Sequence, residues 1–183
     1  GRSMRTLVFG GTGIVGRALV REGRSRGWPV LGLSHGQGDV TDRARIDEIC
    51  TAFRPALIVN CAAFTQVDLC EAEPERALAV NGTAVGNLVR AADACGARLV
   101  HLSTDYVFDG RATAPYGEDH PTAPRSSYGR SKLEGERQAL ASSRSLVIRT
   151  SWIFGPGGAN FVDTIAGRIR SGQKSFRVVD DQL

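Results

Sequence analysis

No stretch of this chain strings together the roughly 20 apolar residues that a membrane-spanning helix needs, so no membrane association is expected. Cysteines are few and poorly spaced for chemistry: Cys50, Cys61, Cys70 and Cys95 lie 11, 9 and 25 residues apart, with no C-x-x-C pair. Such spacing suggests neither a zinc site nor a disulfide framework and fits reduced thiols in the cytoplasm. There is no basic block either. Lys and Arg number 23 against 19 Asp and Glu, a net charge of +4 carried by scattered arginines. That distribution argues against a nucleic-acid partner and is compatible with an anionic small ligand. Internal repeats, low-complexity tracts and a secretory signal are also missing. Gly1-Arg2-Ser3 ahead of Met4 reads as a cloning remnant outside the fold.

What is present suits one substantial α/β core, since 183 residues are 42% hydrophobic and 23% charged and a domain of about 150 residues already buries roughly two-thirds of its unfolded surface. Arg5 to Phe9 is a β-prone run that meets a glycine cluster, after which Ile14, Val15, Ala18, Leu19 and Val20 recur at helical spacing until Gly27-Trp28-Pro29. Val30 to Leu33 is a second strand. Gly36 to Asp39 forms a connection, Thr41 is expected to cap a helix through Phe53, and Pro55 precedes a buried-type strand from Ala56 to Cys61. Pro74 opens one long helix that Gly96 closes. A strand from Arg98 to Ser103, a loop over 109–126, a helix from Tyr128 to Leu140 and a strand from Leu146 to Arg149 follow. Strands separated regularly by helices predict an α/β fold, a doubly wound parallel sheet of Rossmann type.

Chemistry enters first at GGTGIVG, between the first strand and the first helix. Gly10 permits the tight turn, Gly13 lets backbone N–H groups approach a pyrophosphate, Gly16 allows close helix–sheet packing, and Thr12, Ile14 and Val15 complete the turn. A glycine triplet alone is only a tight turn; its place between strand and helix makes it a dinucleotide site. NAD is commonly marked by an acidic residue at the end of the second strand, where this chain has Ser34 and His35. That absence, with Arg17 just beyond the glycines, favours NADP and leaves NAD as the alternative. Asp39, followed by Val40, is expected along the adenine edge, although a turn aspartate is its plainer reading.

Tyr128 and Lys132, in YGRSK, stand four residues apart and so share one face of the predicted helix. A nearby ammonium would favour the phenolate and lower the tyrosine pKa, readying the phenol to pass a proton near neutral pH. The strand ending at Ser103 runs straight into Thr104, Asp105 and Tyr106, at the carboxyl edge where such sheets bind ligands. The Thr104 hydroxyl could hydrogen-bond a carbonyl oxygen gaining negative charge.

These segments, together with VNCAAFTQVDLCEAEPE, STDYVFDG, YGRSKLEGE, RTSWIFG and the terminal VVDDQ, resemble the extended short-chain dehydrogenase/reductases and, among them, the dTDP-4-dehydrorhamnose reductase family. The resemblance implies a cytoplasmic enzyme that reduces the 4-keto group of a dTDP-4-keto-6-deoxyhexose with NADPH or NADH. It implies Thr104, Tyr128 and Lys132 as catalytic triad, with Tyr128 the acid and Tyr128 and Lys132 also touching the cofactor. Cys61, Ala62 and Ala63 would run along that cofactor. Thr65, Val67, Thr104, Asp105, Tyr106 and Trp152 would border the nucleotide-sugar substrate, and Arg149 to Trp152 would reach the nicotinamide end. Asn81 matches the superfamily asparagine that supports a proton path; an ordinary helix-surface residue is the alternative. Val15 offers no carboxylate where part of the family binds magnesium, so no metal is expected, and a homodimer is admitted. The resemblance divides the chain into a dinucleotide-binding domain over 4–155 and the beginning of a small C-terminal substrate subdomain over 156–183, with a helix from Asn160 to Ser171 and a strand from Phe176 to Val179. Because the chain stops at Leu183, it is expected to bind dinucleotide but to reduce a nucleotide sugar poorly. The alternatives are another nucleotide-sugar ketoreductase or epimerase, and a non-catalytic regulatory subunit resembling that of methionine adenosyltransferase.

Overall fold

The structure is a computed structural model, described here over residues 4–158 and 160–176. Its element order is β1 (Thr6–Phe9), α1 (Ile14–Ser25), β2 (Val30–Leu33), α2 (Arg43–Phe53), β3 (Leu57–Asn60), α3 (Val67–Ala72), α4 (Pro74–Ala77), a π-helical segment (Leu78–Thr83), α5 (Ala84–Cys95), β4 (Arg98–Thr104), a 3₁₀ turn (Asp105–Val107), α6 (Ser127–Leu140), β5 (Ser145–Thr150) and α7 (Phe161–Arg170). All five strands are parallel, in the order β2-β1-β3-β4-β5. The chain leaves β1 toward one edge and later returns to its other side as β3. That reversal creates a crevice at the carboxyl end of β1, the place where open α/β sheets take ligands.

The strand β1 reads TLVF without polar alternation because both its faces are covered. Leu7 and Phe9 point into a core with Ile46 and Ile49 of α2, Leu88 of α5, Ile58 and Leu99, whereas Val8 packs with Val20 of α1 and Val59 on the opposite face. Each such side chain contributes about 1.5–3 kcal/mol of burial free energy, so the glycine turn after β1 springs from the best-buried strand.

The predicted strands and helices are found within a residue or two of their expected ends, with three differences. The cap of α2 is Asp42, whose carboxylate accepts from the Arg45 N–H at 3.0 Å, and not Thr41. Thr41 is already committed to Asp39, which accepts from its N–H at 2.9 Å and its hydroxyl at 2.8 Å. The short helix α3 was not anticipated. The long helix expected from Pro74 to Gly96 is interrupted by the π turn, which carries Asn81 into the interior; apolar periodicity cannot reveal one wide turn. Of the expected C-terminal pair, the helix is α7, capped by Asn160, while the strand lies almost wholly outside the described residues.

Helix α6 packs unusually close to this π segment. A methyl on Gly135 would overlap the carbonyl oxygen of Asn81 and come within 3.2 Å of Val85 Cγ2. Gly135→Ala should therefore push the two helices apart and destabilise the fold by about 1–3 kcal/mol, an overpacking cost, seen as a lower denaturant midpoint. An unchanged midpoint would contradict the close approach.

Candidate active site

The crevice at the switch point opens into a cleft of about 610 Å³. Gly10 takes φ +72, and a Cβ there would stand 2.6 Å from the Ala62 nitrogen and 2.7 Å from the Cys61 carbonyl carbon. Only glycine lets the turn lie this near the chain leaving β3. The turn closes with the Gly13 N–H donating to Gly10 O at 3.0 Å. A side chain on Gly16 would collide with Gly10 O. Helix α1 begins at Gly13 with no side-chain cap and no acidic residue in its first turn. Its first N–H groups are left for an anion at the positive end of the helix. Thr12, Gly13, Ile14, Val15 and Gly16 all line the cleft.

Across the cleft, the backbone of 61–64 is held by two asparagines. The Asn60 carboxamide accepts from the Ala62 N–H at 3.1 Å, which leaves its NH₂ to face His101 Nδ1 at 3.1 Å. His101 is fully buried, and burial, with Lys132 adding to it, pushes its pKa down to about 3. It is therefore a neutral acceptor at Nδ1. Asn81 accepts from the Phe64 N–H at 2.7 Å and donates to Phe64 O at 2.9 Å and to Ser131 Oγ at 3.0 Å. Asn81 is 1% exposed, so the helix-surface alternative is overturned, and its carboxamide is committed to tying the cleft wall to α6.

Ser126 caps α6 by accepting from the Gly129 N–H at 3.0 Å, and the helix then presents Tyr128 and Lys132 one turn apart. Both line the cleft with Thr104 at the end of β4. Lys132 is 3% exposed, and its ammonium donates to Leu102 O at 2.6 Å. Burial lowers its pKa to about 8, opposed by Glu136 and Cys61. The expected lowering of the Tyr128 pKa is not found. Burial raises it, the Thr104 hydroxyl pulls the other way, and Cys70, Asp105 and Tyr106 add to the rise. Burial outweighs the rest, and the Lys132 ammonium is engaged by the Leu102 carbonyl. Cys61 is pushed up to about 12 by burial, so it forms a neutral wall. Thr104 donates to the Asp105 carboxylate at 2.9 Å and accepts from the Tyr106 N–H at 3.2 Å, and the Tyr106 ring meets that of Tyr128 edge to face at 5.7 Å.

Of the remaining expected residues, Cys61, Ala62, Ala63, Thr65, Asp105, Tyr106 and Trp152 line the cleft. Gly10 is not among the lining residues and packs against Cys61 and Ala62. Val67 starts α3, and neither it nor Asp39 nor Val40 is among the cleft-lining residues; Val40 is buried in the α2 core, and Asp39 is a turn aspartate bonded to Thr41. Arg149 departs from expectation. It grips the buried Glu136 carboxylate with two bonds of 2.9 and 2.7 Å and lies over the Phe108 ring, because strand alternation points it away from Thr150 and the cleft. Arg17 donates to Thr12 O at 2.9 Å and makes no hydrogen bond to Ser34 or His35. Leu102, Ser103, Ile153, Gly157 and Gly158 also line the cleft and were not foreseen. The buried Ser103 hydroxyl has no partner; its position one residue before Thr104 was the available clue. Trp152 adopts φ +50, a strained conformation for an aromatic residue.

A glycine turn at the switch point of a parallel sheet, facing a Tyr–Lys pair across one cleft, defines a Rossmann-type domain of the short-chain dehydrogenase/reductase kind. The chain belongs to the RmlD substrate binding domain family, whose model matches residues 4–183. It is 45% identical over 180 residues to a dTDP-4-dehydrorhamnose reductase from Streptomyces griseus, covering 97% of this chain and 59% of that protein. A crystal structure of dTDP-4-dehydrorhamnose reductase from Bacillus anthracis in complex with NADP superposes with a TM-score of 0.90 at 32% identity, over 92% of this chain and 60% of that one. The Bordetella bronchiseptica enzyme WbmG in complex with NAD and UDP gives 0.87 at 28% identity, over 96% of this chain and 62% of that one. The chain thus spans about three-fifths of the length of the curated relatives it matches. No helix among the described residues is long and apolar enough to cross a membrane.

The buried Lys132 makes stability depend on pH. Below pH 8 the ammonium is charged in both the folded and unfolded states, and its burial costs stability in full. Between about 8 and the ordinary 10.5 the folded lysine has lost its proton while the unfolded chain still holds it, so stability rises with pH across that window. Relative to Lys132→Met, the wild type should gain on the order of 1–3 kcal/mol in unfolding free energy between these limits. A difference that stays constant with pH would exclude the buried charge.

Proposed function

We propose that the chain forms the dinucleotide-binding and catalytic part of an NAD(P)H-dependent reductase acting on the 4-keto group of a dTDP-4-keto-6-deoxyhexose. The observation that carries this reading is the convergence of Thr104, Tyr128 and Lys132 on the cleft that also holds the glycine turn. The family membership and the printed activity of the Streptomyces griseus relative supply the substrate class.

A dinucleotide fits the residues present. The uncapped first turn of α1 would receive the pyrophosphate, the close approach of Gly10 to residues 61–62 sets the glycine turn against the wall leaving β3, and the Cys61–Ala63 wall offers small uncharged side chains to the nicotinamide. When bound, the dihydronicotinamide supplies a hydride to the keto carbon. Tyr128 gives the phenolic proton to the oxygen of that carbonyl, and the Thr104 hydroxyl, once turned from Asp105, hydrogen-bonds the same oxygen as charge grows on it. Lys132 spends one of its three N–H donors on Leu102 O. The others would hold the nicotinamide ribose and bring positive charge to the phenol, offsetting the rise that burial imposes. Thr65, Tyr106 and Trp152 would border the sugar. Residues 4–155 would make the dinucleotide-binding domain and α7 the first helix of a substrate-binding portion over 156–183. Cytoplasmic residence and a homodimer belong to the same proposal.

Tyr128→Phe should lower turnover of dTDP-4-dehydrorhamnose by about two to four orders of magnitude, the range for a positioned general acid, with reduced-dinucleotide affinity little changed. Turnover is followed by loss of NADPH absorbance, and an unaffected rate would remove Tyr128 from the chemistry. Detectable NADPH oxidation by a keto-sugar would exclude the reading as a non-catalytic subunit. The absence of a carboxylate at Ser34 and His35 favours NADPH over NADH. Parallel titrations test this, and a tenfold preference for NADH, about 1.4 kcal/mol, would reverse it.

A further inference from the structure

Helix α6 is held at its start by a residue that neither the glycine turn nor the Thr104–Tyr128–Lys132 set includes. Glu71, near the end of α3, is half exposed, yet both its oxygens are committed. One accepts from the Ser127 N–H at 2.5 Å and the other from the Ser127 hydroxyl at 2.8 Å, across 56 residues of sequence. Arg130 donates to the same hydroxyl at 2.8 Å, with its guanidinium 3.9 Å from Glu71. Charge-assisted bonds of this kind are short and strong, and a carboxylate is favoured at a helix N-terminus.

The helix does not need Glu71 in order to form, because Ser126 already supplies a side-chain cap. Glu71 instead addresses Ser127, the residue that immediately precedes Tyr128. The other end of the tether reaches the cleft. Cys70 of α3 is fully buried, and its thiol donates to Phe64 O at 3.4 Å. Phe64 is the residue Asn81 clamps, and Thr65 beside it lines the cleft. On the far side of Tyr128, Gly129 lies so tightly against Tyr106 O that a Cβ would overlap it. The first turn of α6 is therefore pressed against the 3₁₀ turn on one side and pulled to α3 on the other.

We infer that Glu71 is a positioning residue for Tyr128: it fixes the first turn of α6 relative to the cleft wall, so that the phenol is aimed at the site of proton transfer. This inference rests on the reductase reading for its catalytic consequence. Misplacing a reacting group by about 1 Å can cost on the order of 100-fold in rate, so losing the tether should be felt in turnover before it is felt in binding.

The test uses Glu71→Gln, Glu71→Ala and Ser127→Ala in the full chain, with three readouts: affinity for NADPH, turnover of dTDP-4-dehydrorhamnose, and the NMR resonances of the Tyr128 ring, which feel the nearby Tyr106 ring. Glu71→Ala is expected to shift the Tyr128 ring resonances and lower kcat on the order of tenfold, with NADPH affinity within about twofold of wild type. Glu71→Gln, which keeps one acceptor for the Ser127 N–H, and Ser127→Ala, which keeps that N–H, should each fall between wild type and Glu71→Ala. Unmoved Tyr128 resonances in Glu71→Ala would overturn the inference, and so would a fall in NADPH affinity equal to the fall in kcat, which marks general damage. If the wild-type chain reduces no keto-sugar, as its expected poor turnover allows, the reductase reading is not judged by that result, and the ring resonances with NADPH affinity decide whether Glu71 places Tyr128. Should Glu71→Ala fail to fold, the two milder variants decide by the same criteria.

Discussion

Helix α6 lies so close to its neighbours that single methyl groups at Gly129 and Gly135 would overlap the carbonyl oxygens of Tyr106 and Asn81. That backbone approach governs the rest of the cleft. It carries Lys132 down to the Leu102 carbonyl, sets Tyr128 edge-on to Tyr106, and brings Ser131 within reach of Asn81. The π turn at Leu78–Thr83 is the counterpart on the facing helix, since widening one turn aims Asn81 inward at Phe64 and Ser131 together. A side chain at either glycine would move every one of these groups at once, because packed interiors do not deform gradually.

The electrostatics follow from this depth. Lys132 is a buried cation surrounded by groups that burial keeps neutral: Cys61, pushed to about 12, and His101, lowered to about 3. Among the described residues the carboxylate acting on it is Glu136, one turn further along α6, and Glu136 is already gripped by Arg149. The Glu136–Arg149 pair joins α6 to β5, and Arg149 donates in addition to Glu118 O of the long 109–126 loop. The ammonium is thus left without a tight counter-ion of its own and faces an open cleft. A polyhydroxylated, anionic ligand is the chemistry that such an arrangement recognises, which is why the dinucleotide reading and the geometry agree.

Much of the fold was legible from local chemistry. The strands announced themselves as short β-prone runs between glycine and proline punctuation, and LIVN needed no partner to be read as a buried strand. The glycine turn and YGRSK were legible as well, because each carries its geometry in its own spacing. Misreadings arose where two local choices competed or where a choice depended on distant partners. Thr41 and Asp42 are both acceptable caps, and the choice fell to Asp42 because the neighbouring Asp39 had engaged Thr41. Arg149 belongs to the RTSW segment that resembles the family, yet strand alternation turned it to Glu136. Glu71 was visible only as one acidic residue in EAEPE, and nothing local told of Ser127.

The sequence by itself determined the alternation of strands and helices, the pyrophosphate turn and the identity of the Tyr–Lys pair, since these rest on interactions among residues within a few positions of one another. Only the tertiary structure decided which way Lys132 points, that the Tyr128 pKa rises, that Asn81 is a buried clamp and that Arg149 leaves the cleft. Those outcomes depend on desolvation and on hydrogen bonds between segments far apart in the chain. Burial is a property of the assembled layers, and no residue carries it alone.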